Sequence, residues 1–313
     1  MSINKERLQG EEMETKLYII GNGFDAANKL NTSYEDFKKY LIQKCKENQC
    51  EKQKEWYEVQ KNGMLSPNDY QNSMLMIKMI DTALKRQYGE RAEWKNFEAV
   101  LGDLQYEDLW GEQEKSELNG VLVHTTFTRL RDYFKDWITN VEKKQSCEAI
   151  QGFQDINELY LTFNYTLTLE NIYHIPSQNI CHIHGVLGDE NLMFGHKYIN
   201  EKYVGNETAA ERQIAIVREM LEKDTALCFM DHRDFFQKVN NRIKEVISIG
   251  FSYSEVDMYY IDKIIKSVGI NTTWYIHNFK YDIKDIRQLR RLLRKHGFYG
   301  RIKFFNDIGC YLK

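Results

Sequence analysis

Proline is nearly missing from this chain: 313 residues contain two, Pro67 and Pro176. No proline-rich linker therefore separates rigid pieces. Charge of one sign is also in short supply. Lys and Arg number 43 against 46 Asp and Glu, leaving a net charge of -3, so there is no broad basic face of the kind that dedicated duplex binding needs. No window approaches the roughly 20 apolar residues of a membrane span. The first 14 residues are polar and mixed in charge, without the apolar centre of a secretory signal. The six cysteines (Cys45, Cys50, Cys147, Cys181, Cys228 and Cys310) form no C-x-x-C pair. That excludes a disulfide scaffold and reads as the reduced thiols of a cytoplasmic protein. Neither a membrane nor a nucleic acid is the expected partner.

What is present is a globular composition, 28% charged, 42% hydrophobic and 13% aromatic, in a chain long enough for one large domain or two modest ones. Its organising stretch is Lys16-Leu-Tyr-Ile-Ile-Gly-Asn-Gly-Phe-Asp25. Four apolar residues, Leu17 to Ile20, run into Gly21-Asn22-Gly23, and Ala26 and Ala27 are small enough for a following helix to pack closely. Strand, glycine turn and helix start are a common cradle for a phosphate or nucleotide, and the pattern G-x-G-x-x-A is a shortened dinucleotide fingerprint. The alternative at this point is a strand-to-helix turn that uses glycine only for positive φ.

Beyond the turn, Thr32-x-x-Glu35 reads as a capping box for a helix with the stripe Tyr34, Phe37, Leu41, Ile42 and Cys45. A second possibility is a helix that starts near Asp25 and breaks at Asn31. From 33 to 145 nothing reads as a strand. Asp69–Arg86 is a Met-rich helix, Trp94 to Leu104 another, and residues 113–143 a single long one. Strands return at Leu159–Phe163, Asn179–His184, Val246–Ile249, Thr273–His277 and Ile302–Phe305. They alternate with helices over Glu207–Lys223, Arg233–Lys244, Ser254–Ser267 and Asp285–Lys295. This alternation implies an α/β fold, a Rossmann-like parallel sheet covered on both faces. Residues 15–32 and 155–313 would form it, with 33–154 as a helical insertion after the first strand. The run Arg287, Arg290, Arg291, Arg294 and Lys295 is read as a solvated helix face.

In such sheets ligands bind where strands end at their carboxyl side. Four polar turns fall there: Gly21-Asn22-Gly23, Asn164-Tyr165-Thr166, His184-Gly185 and Gly250-Phe251-Ser252. Together they argue for a nucleotide site. An ordinary dehydrogenase needs a second strand soon after the first helix, ending in an acid about 20 residues on. Here that region is helical, and Glu35 and Asp36 sit at a helix start where the dipole accounts for them. Hydride transfer is therefore rejected.

The chain resembles the bacteriophage abortive-infection AbiH family. The matching pieces are Ile19-Ile20-Gly21-Asn22-Gly23-Phe24-Asp25, Trp94-Lys-Asn-Phe-Glu98, Phe163-Asn164-Tyr165-Thr166 with Glu170, Cys181-His182-Ile183-His184-Gly185, Phe194-Gly195-His196, and Gly250-Phe251-Ser252-Tyr253-Ser254-Glu255-Val256-Asp257. More distantly it resembles the SIR2-like NAD-binding fold of bacterial defence proteins. That resemblance implies NAD as substrate or ligand and no metal. It implies Asn164 and His184 as catalytic residues. Binding would fall to Gly21, Asn22, Gly23, Phe24, Asp25, Thr166, Gly185, Gly250, Phe251, Ser252 and Asp257. The expected activity is hydrolysis of the nicotinamide–ribose bond in antiphage defence, with a non-catalytic nucleotide-sensing module as the alternative. Two positions depart from the SIR2-like pattern. Thr166 stands where an Asp is usual, and Asp25 where the glycine loop has a small or hydroxyl residue.

Cleaving that bond passes through an oxocarbenium-like state, which needs the ribose held, a water placed and positive charge stabilised. An Asn side chain can donate and accept, so it can fix a hydroxyl and a water. A His can take the proton. Asp25 or Glu98 can stabilise the cation if either reaches the pocket. Each has a plainer reading: Asn164 as a turn residue, His184 as a core histidine. His182 and His184 alternate and would share one strand face. With His196 and an acid they would make a metal-dependent hydrolase or nuclease, although no motif supplies the acid. Cys181 points the other way and reads as core, as do Trp94 and Phe97. Glu98 beside them needs a partner or water. The helical block is a place for a lid or a self-association surface, because long amphipathic helices must bury their stripes; a homo-oligomer or a defence-system partner protein is the expected macromolecular partner.

Overall fold

A computed structural model describes residues 15–47, 67–110, 117–144, 148–151, 153, 155–189, 192–197, 208–278 and 282–311. Residues 1–14, Cys50 and Cys147 lie outside them; Cys45, Cys181 and Cys228 are not in disulfides.

Six strands form one sheet: β1 Lys16–Ile20, β2 Leu159–Thr162, β3 Ile180–His182, β4 Glu245–Ile249, β5 Thr273–His277 and β6 Arg301–Phe305. Their order is β3-β2-β1-β4-β5-β6, and every pairing is parallel. The fold is α/β and Rossmann-like. The strands are near-continuous apolar runs because helices cover both faces. Alternation then sorts them: Leu17, Ile19, Leu161 and Val246 join one apolar cluster with Trp274, while Tyr18, Ile20, Tyr160 and Ile247 join another on the opposite face. The Tyr18 and Tyr160 rings stack across the strands with centroids 4.7 Å apart. Strand order reverses between β1 and β4, which opens the crevice position of such folds at their carboxyl ends.

The helical block supplies a third cluster. Helices Tyr34–Glu47, Asp69–Tyr88, Glu117–Thr128 and Leu130–Lys144 gather Phe37, Met79, Trp94, Phe97, Phe127, Phe134 and Trp137. The same cluster takes in Leu192, Phe194, Ile214 and Leu221 from the later half of the chain. Helix Ala209–Met220 approaches so closely that a Cβ on Gly120 would lie 2.7 Å from the Ala210 Cα.

Several boundaries differ from those read in the sequence. Ser33 and Asp36, not Thr32 and Glu35, cap helix Tyr34–Glu47: Ser33 Oγ accepts from Asp36 N–H at 3.2 Å and Asp36 Oδ2 accepts from Ser33 N–H at 3.3 Å. Thr32 is committed to Asn22 Oδ1, and Glu35 accepts from Trp94 N–H at 2.7 Å. The short helix beginning before Asp25 also forms, as Asn22–Ala27. The long helix over 113–143 is two helices broken at Arg129, and residues 113–116 lie outside the described residues. At the break Thr128 Oγ1 donates to the Thr125 carbonyl at 2.6 Å, a local bond that competes with the helical ladder. Strand β3 stops at His182, two residues short of the expected end. Helix Arg233–Lys238 is shorter than expected, and a separate helix, Thr225–Asp231, precedes it.

Candidate functional site at the carboxyl edge

The turns after β1 and β4 interlock. Gly21 N–H donates to the Ile249 carbonyl and Gly23 N–H to the Gly250 carbonyl, each at 3.0 Å, while Phe24 N–H closes onto the Gly21 carbonyl at 2.9 Å. These amides, the donors of an open phosphate loop, are already satisfied. Gly185 N–H likewise closes onto the His182 carbonyl at 3.0 Å. Phe251 is buried against the Phe163 ring at 4.6 Å, and Ser252 faces outward. Ser254, rather than Ser252, meets Asp257, at 2.7 Å.

Between the β1 and β2 turns lies a cavity of about 70 Å³. Its polar wall is Asn22, Asp25, Thr32, Asn164 and Thr166; its apolar wall is Tyr34, Phe134, Ile138, Phe163 and Tyr165. Asp25 is only 1% exposed. Its carboxylate accepts from Thr166 Oγ1 at 2.9 and 3.0 Å and from Thr168 Oγ1 at 3.1 Å. Burial pushes the Asp25 carboxyl up from 3.8 to about 6, with the Thr166, Thr168, Asn164 and Thr32 groups pulling the other way. Asn164 donates from Nδ2 to the Gly21 carbonyl at 3.2 Å. The two departures from the SIR2-like pattern are thus each other's partners: Thr166 supplies the hydroxyl that a buried Asp25 needs. An acid at 166 would set two carboxylates together.

Behind the Tyr34 and Tyr165 wall is a second polar group that sequence reading did not assemble. Lys223 Nζ, its side chain 1% exposed, lies 3.1 Å from Glu98 Oε1 and 3.7 Å from Asp257 Oδ1. Glu98 also accepts from Gly195 N–H at 3.3 Å. Burial alone would lower the Lys223 ammonium, but Glu98 and Asp257 hold it above the ordinary lysine value. Burial raises the Asp257 carboxyl against the pull of Lys223. It also raises the Tyr34 and Tyr165 hydroxyls, Glu98 adding to both. His184 sits here, not in the cavity, with Phe163 and Tyr260 ring centroids at 5.3 and 5.7 Å. Burial, aided by the Lys223 charge, drives its pKa well below the usual histidine value. The 3.6 Å approach of His184 Nε2 to Asp257 Oδ1 is therefore a contact of a neutral ring, not an ion pair. No local signal marked Lys223, which sits in the charged stretch Glu222-Lys223-Asp224. Lys223→Ala leaves the buried Asp257 and half-buried Glu98 carboxylates without their cation and should lower stability by about 3–5 kcal/mol. Adding Glu98→Gln and Asp257→Asn should recover part of that loss, as read by urea unfolding.

The three histidines go separate ways. His182 meets Glu170, and His196 has ring nitrogens 2.7 and 2.8 Å from the Lys197 and Arg218 carbonyls. Among the described residues no group of three His, Cys, Asp or Glu is placed to hold a metal ion, and no helix is long and apolar enough to cross a membrane. In the basic helix, Arg290 and Arg294 lie over the Phe304 and Phe298 rings at 5.4 and 6.0 Å, so their stems cover the sheet edge.

Fold and cavity together define a doubly wound parallel α/β protein with a buried acid and an amide at the carboxyl edge, beside the strand-order reversal. The family profile for bacteriophage abortive infection AbiH matches residues 17–278. The chain belongs to the AbiH family, and its class of function is abortive infection in defence against phage. No match was found among curated proteins or among solved structures.

Proposed function

We propose that the protein acts in abortive infection by hydrolysing NAD at the nicotinamide–ribose bond. The observation that carries the reading is that Asp25 and Asn164, from turns far apart in sequence, line one cavity at the carboxyl edge. In this reading the Asn164 amide holds a ribose hydroxyl and the attacking water. The ionised Asp25 faces the developing sugar cation and takes the proton of that water as the water oxygen bonds to C1′. The C1′–N bond breaks, nicotinamide leaves neutral, and Asp25 returns its proton to solvent. His184, buried behind Phe163, then touches no substrate, and the base role expected of it passes to Asp25.

Asp25, Asn164 and Thr166 suit a ribose with its hydroxyls. The interlocked glycine turns suit a pyrophosphate poorly, because their amides are already bonded. At about 70 Å³ the cavity is below the roughly 300 Å³ lower bound of ligand pockets. A nucleotide therefore enters only when the wall of Tyr34, Phe134 and Ile138 moves, which suits an effector that stays quiet until infection. The same two features favour, as a second reading, a nucleotide sensor that binds without turnover.

Purified protein incubated with NAD, alone and with extract of phage-infected cells, should release nicotinamide and ADP-ribose in equal amounts. Saturable NAD binding without release under either condition would support the sensor; neither binding nor release would sink both readings.

A further inference from the structure

The β2 turn that carries Asn164, Tyr165 and Thr166 is held from outside by a pair the reaction above does not use. His182 ends β3, in register with Thr162 of β2, so its ring reaches the turn just beyond that strand. Nδ1 lies 3.2 Å from the Asn164 main-chain oxygen and Nε2 lies 2.8 Å from Glu170 Oε1. A carbonyl oxygen only accepts, so Nδ1 must carry a hydrogen. If that were the ring's one proton, Nε2 would turn a lone pair toward a carboxylate, and the short contact would be repulsive. The 2.8 Å bond therefore requires one more proton, held by the ring or by the carboxyl. The second Glu170 oxygen is buried with no hydrogen-bond partner among the described residues, so Glu170 depends on His182. Glu142, from helix Leu130–Lys144, faces the same pair and accepts from Leu167 N–H at the far end of the turn. Its carboxyl is raised chiefly by burial and feels both Glu170 and His182.

Asn164 is thus fixed at three atoms. Its N–H donates to Thr162 Oγ1 at 3.1 Å, its Nδ2 to the Gly21 carbonyl at 3.2 Å, and its main-chain oxygen accepts from His182. Asn164 also steadies the Asp25 carboxylate. Whatever moves the Asn164 backbone moves the acid's surroundings too.

We propose that His182 and Glu170 are positioning residues that share one proton, and that the site is competent only while the pair holds it. The proposal rests on the glycohydrolase reading for its activity arm alone. When the pair loses its proton to solvent, the ring's one remaining hydrogen goes to Nε2 and the Glu170 carboxylate. Nδ1 then turns a lone pair toward the Asn164 carbonyl, the ring leaves that carbonyl, and the turn relaxes. A displacement of about 1 Å at a reacting group is worth roughly 10²-fold in rate.

Two measurements test this on the full chain. In the first, the pH profile of nicotinamide release is compared across variants. His182→Ala should lower kcat by roughly 10²-fold with KM within a few-fold of wild type. His182→Asn, whose amide can still donate to the Asn164 carbonyl but cannot titrate, should recover most of that kcat. It should also lose the limb on which wild-type activity falls as pH rises. An unchanged kcat in His182→Ala, or a His182→Asn profile superimposable on wild type, would overturn the proposal. In the second, the ring nitrogens of ¹⁵N-histidine-labelled protein are followed by NMR with the Asn164 amide. The two should titrate together, and the linkage should vanish in Glu170→Gln. Independent titration would overturn the pair whatever the activity. Joint titration in a protein that releases no nicotinamide would keep the pair and remove only the glycohydrolase reading.

Discussion

In the proposed hydrolysis of NAD, Asp25→Asn should cut nicotinamide release by roughly 10²- to 10⁴-fold and, at the same time, make the protein more stable at neutral pH. Both effects have one cause. Burial holds the Asp25 carboxyl at about 6 in the folded protein, up from 3.8, whereas the unfolded chain ionises it near that lower value. Between the two values the folded state binds more protons than the unfolded state, so stability falls as pH rises. Above about pH 6 the full penalty of a buried charge is carried, on the order of 3 kcal/mol for a shift from 3.8 to about 6. Asn keeps the shape and an acceptor for Thr166 and Thr168 but carries no charge. Its stability should match wild type in acid and exceed it at pH 7, by up to that amount, in urea unfolding. The wild-type rate should rise through pH 6, and the residual rate of the variant should not. A variant with wild-type release and an unshifted unfolding curve would take Asp25 out of the chemistry.

Gly250→Ala should cost at least about 5 kcal/mol, the range reserved for a few named mechanisms. Gly250 has φ +63, and a Cβ there would lie 2.3 Å from Phe24 N, 2.4 Å from Gly23 C and 2.5 Å from Gly23 Cα. None of these atoms can yield cheaply, because the Gly21 and Gly23 amides are bonded to the Ile249 and Gly250 carbonyls. The added methyl would wedge β1 from β4 at the centre of the sheet. Gly89→Ala is the control. Its φ is +84 with ψ 178, but no heavy atom lies within 4 Å of a Cβ there, so only the conformational cost of about 1–3 kcal/mol applies. Soluble yield and melting temperature separate the two. If both variants melt alike, the turns do not interlock.

The sheet was legible because burial on both faces writes long apolar runs, each followed by a glycine or polar turn at the carboxyl end. Leu17 to Ile20 with Gly21, and Val246 to Ile249 with Gly250, needed no tertiary knowledge. The alternation of these runs with helices implied the parallel order. Helix ends were read less well. Thr32 and Ser33 are both good caps, and only the bond from Thr32 to Asn22 decides between them. The Thr125–Thr128 back-bond that splits a long amphipathic run is invisible to periodicity.

The chemistry divides along the same line. By itself the sequence determined the family, the α/β fold and the edge of the sheet that carries the polar turns, because these follow from local patterns of apolar residues, glycine and motif spacing. Only the tertiary structure decided which side chains meet. Thr166 and Asp25 are 141 residues apart, and Lys223 and Glu98 are 125 apart. Pairing over such separations leaves no periodic trace. Burial raises the Asp25 carboxyl to about 6 against the pull of its Thr166 partner, and burial likewise holds His184 neutral, outside the cavity. Desolvation and the nearest charge set what a titratable group can do. Both are properties of the packed fold, not of the residue type.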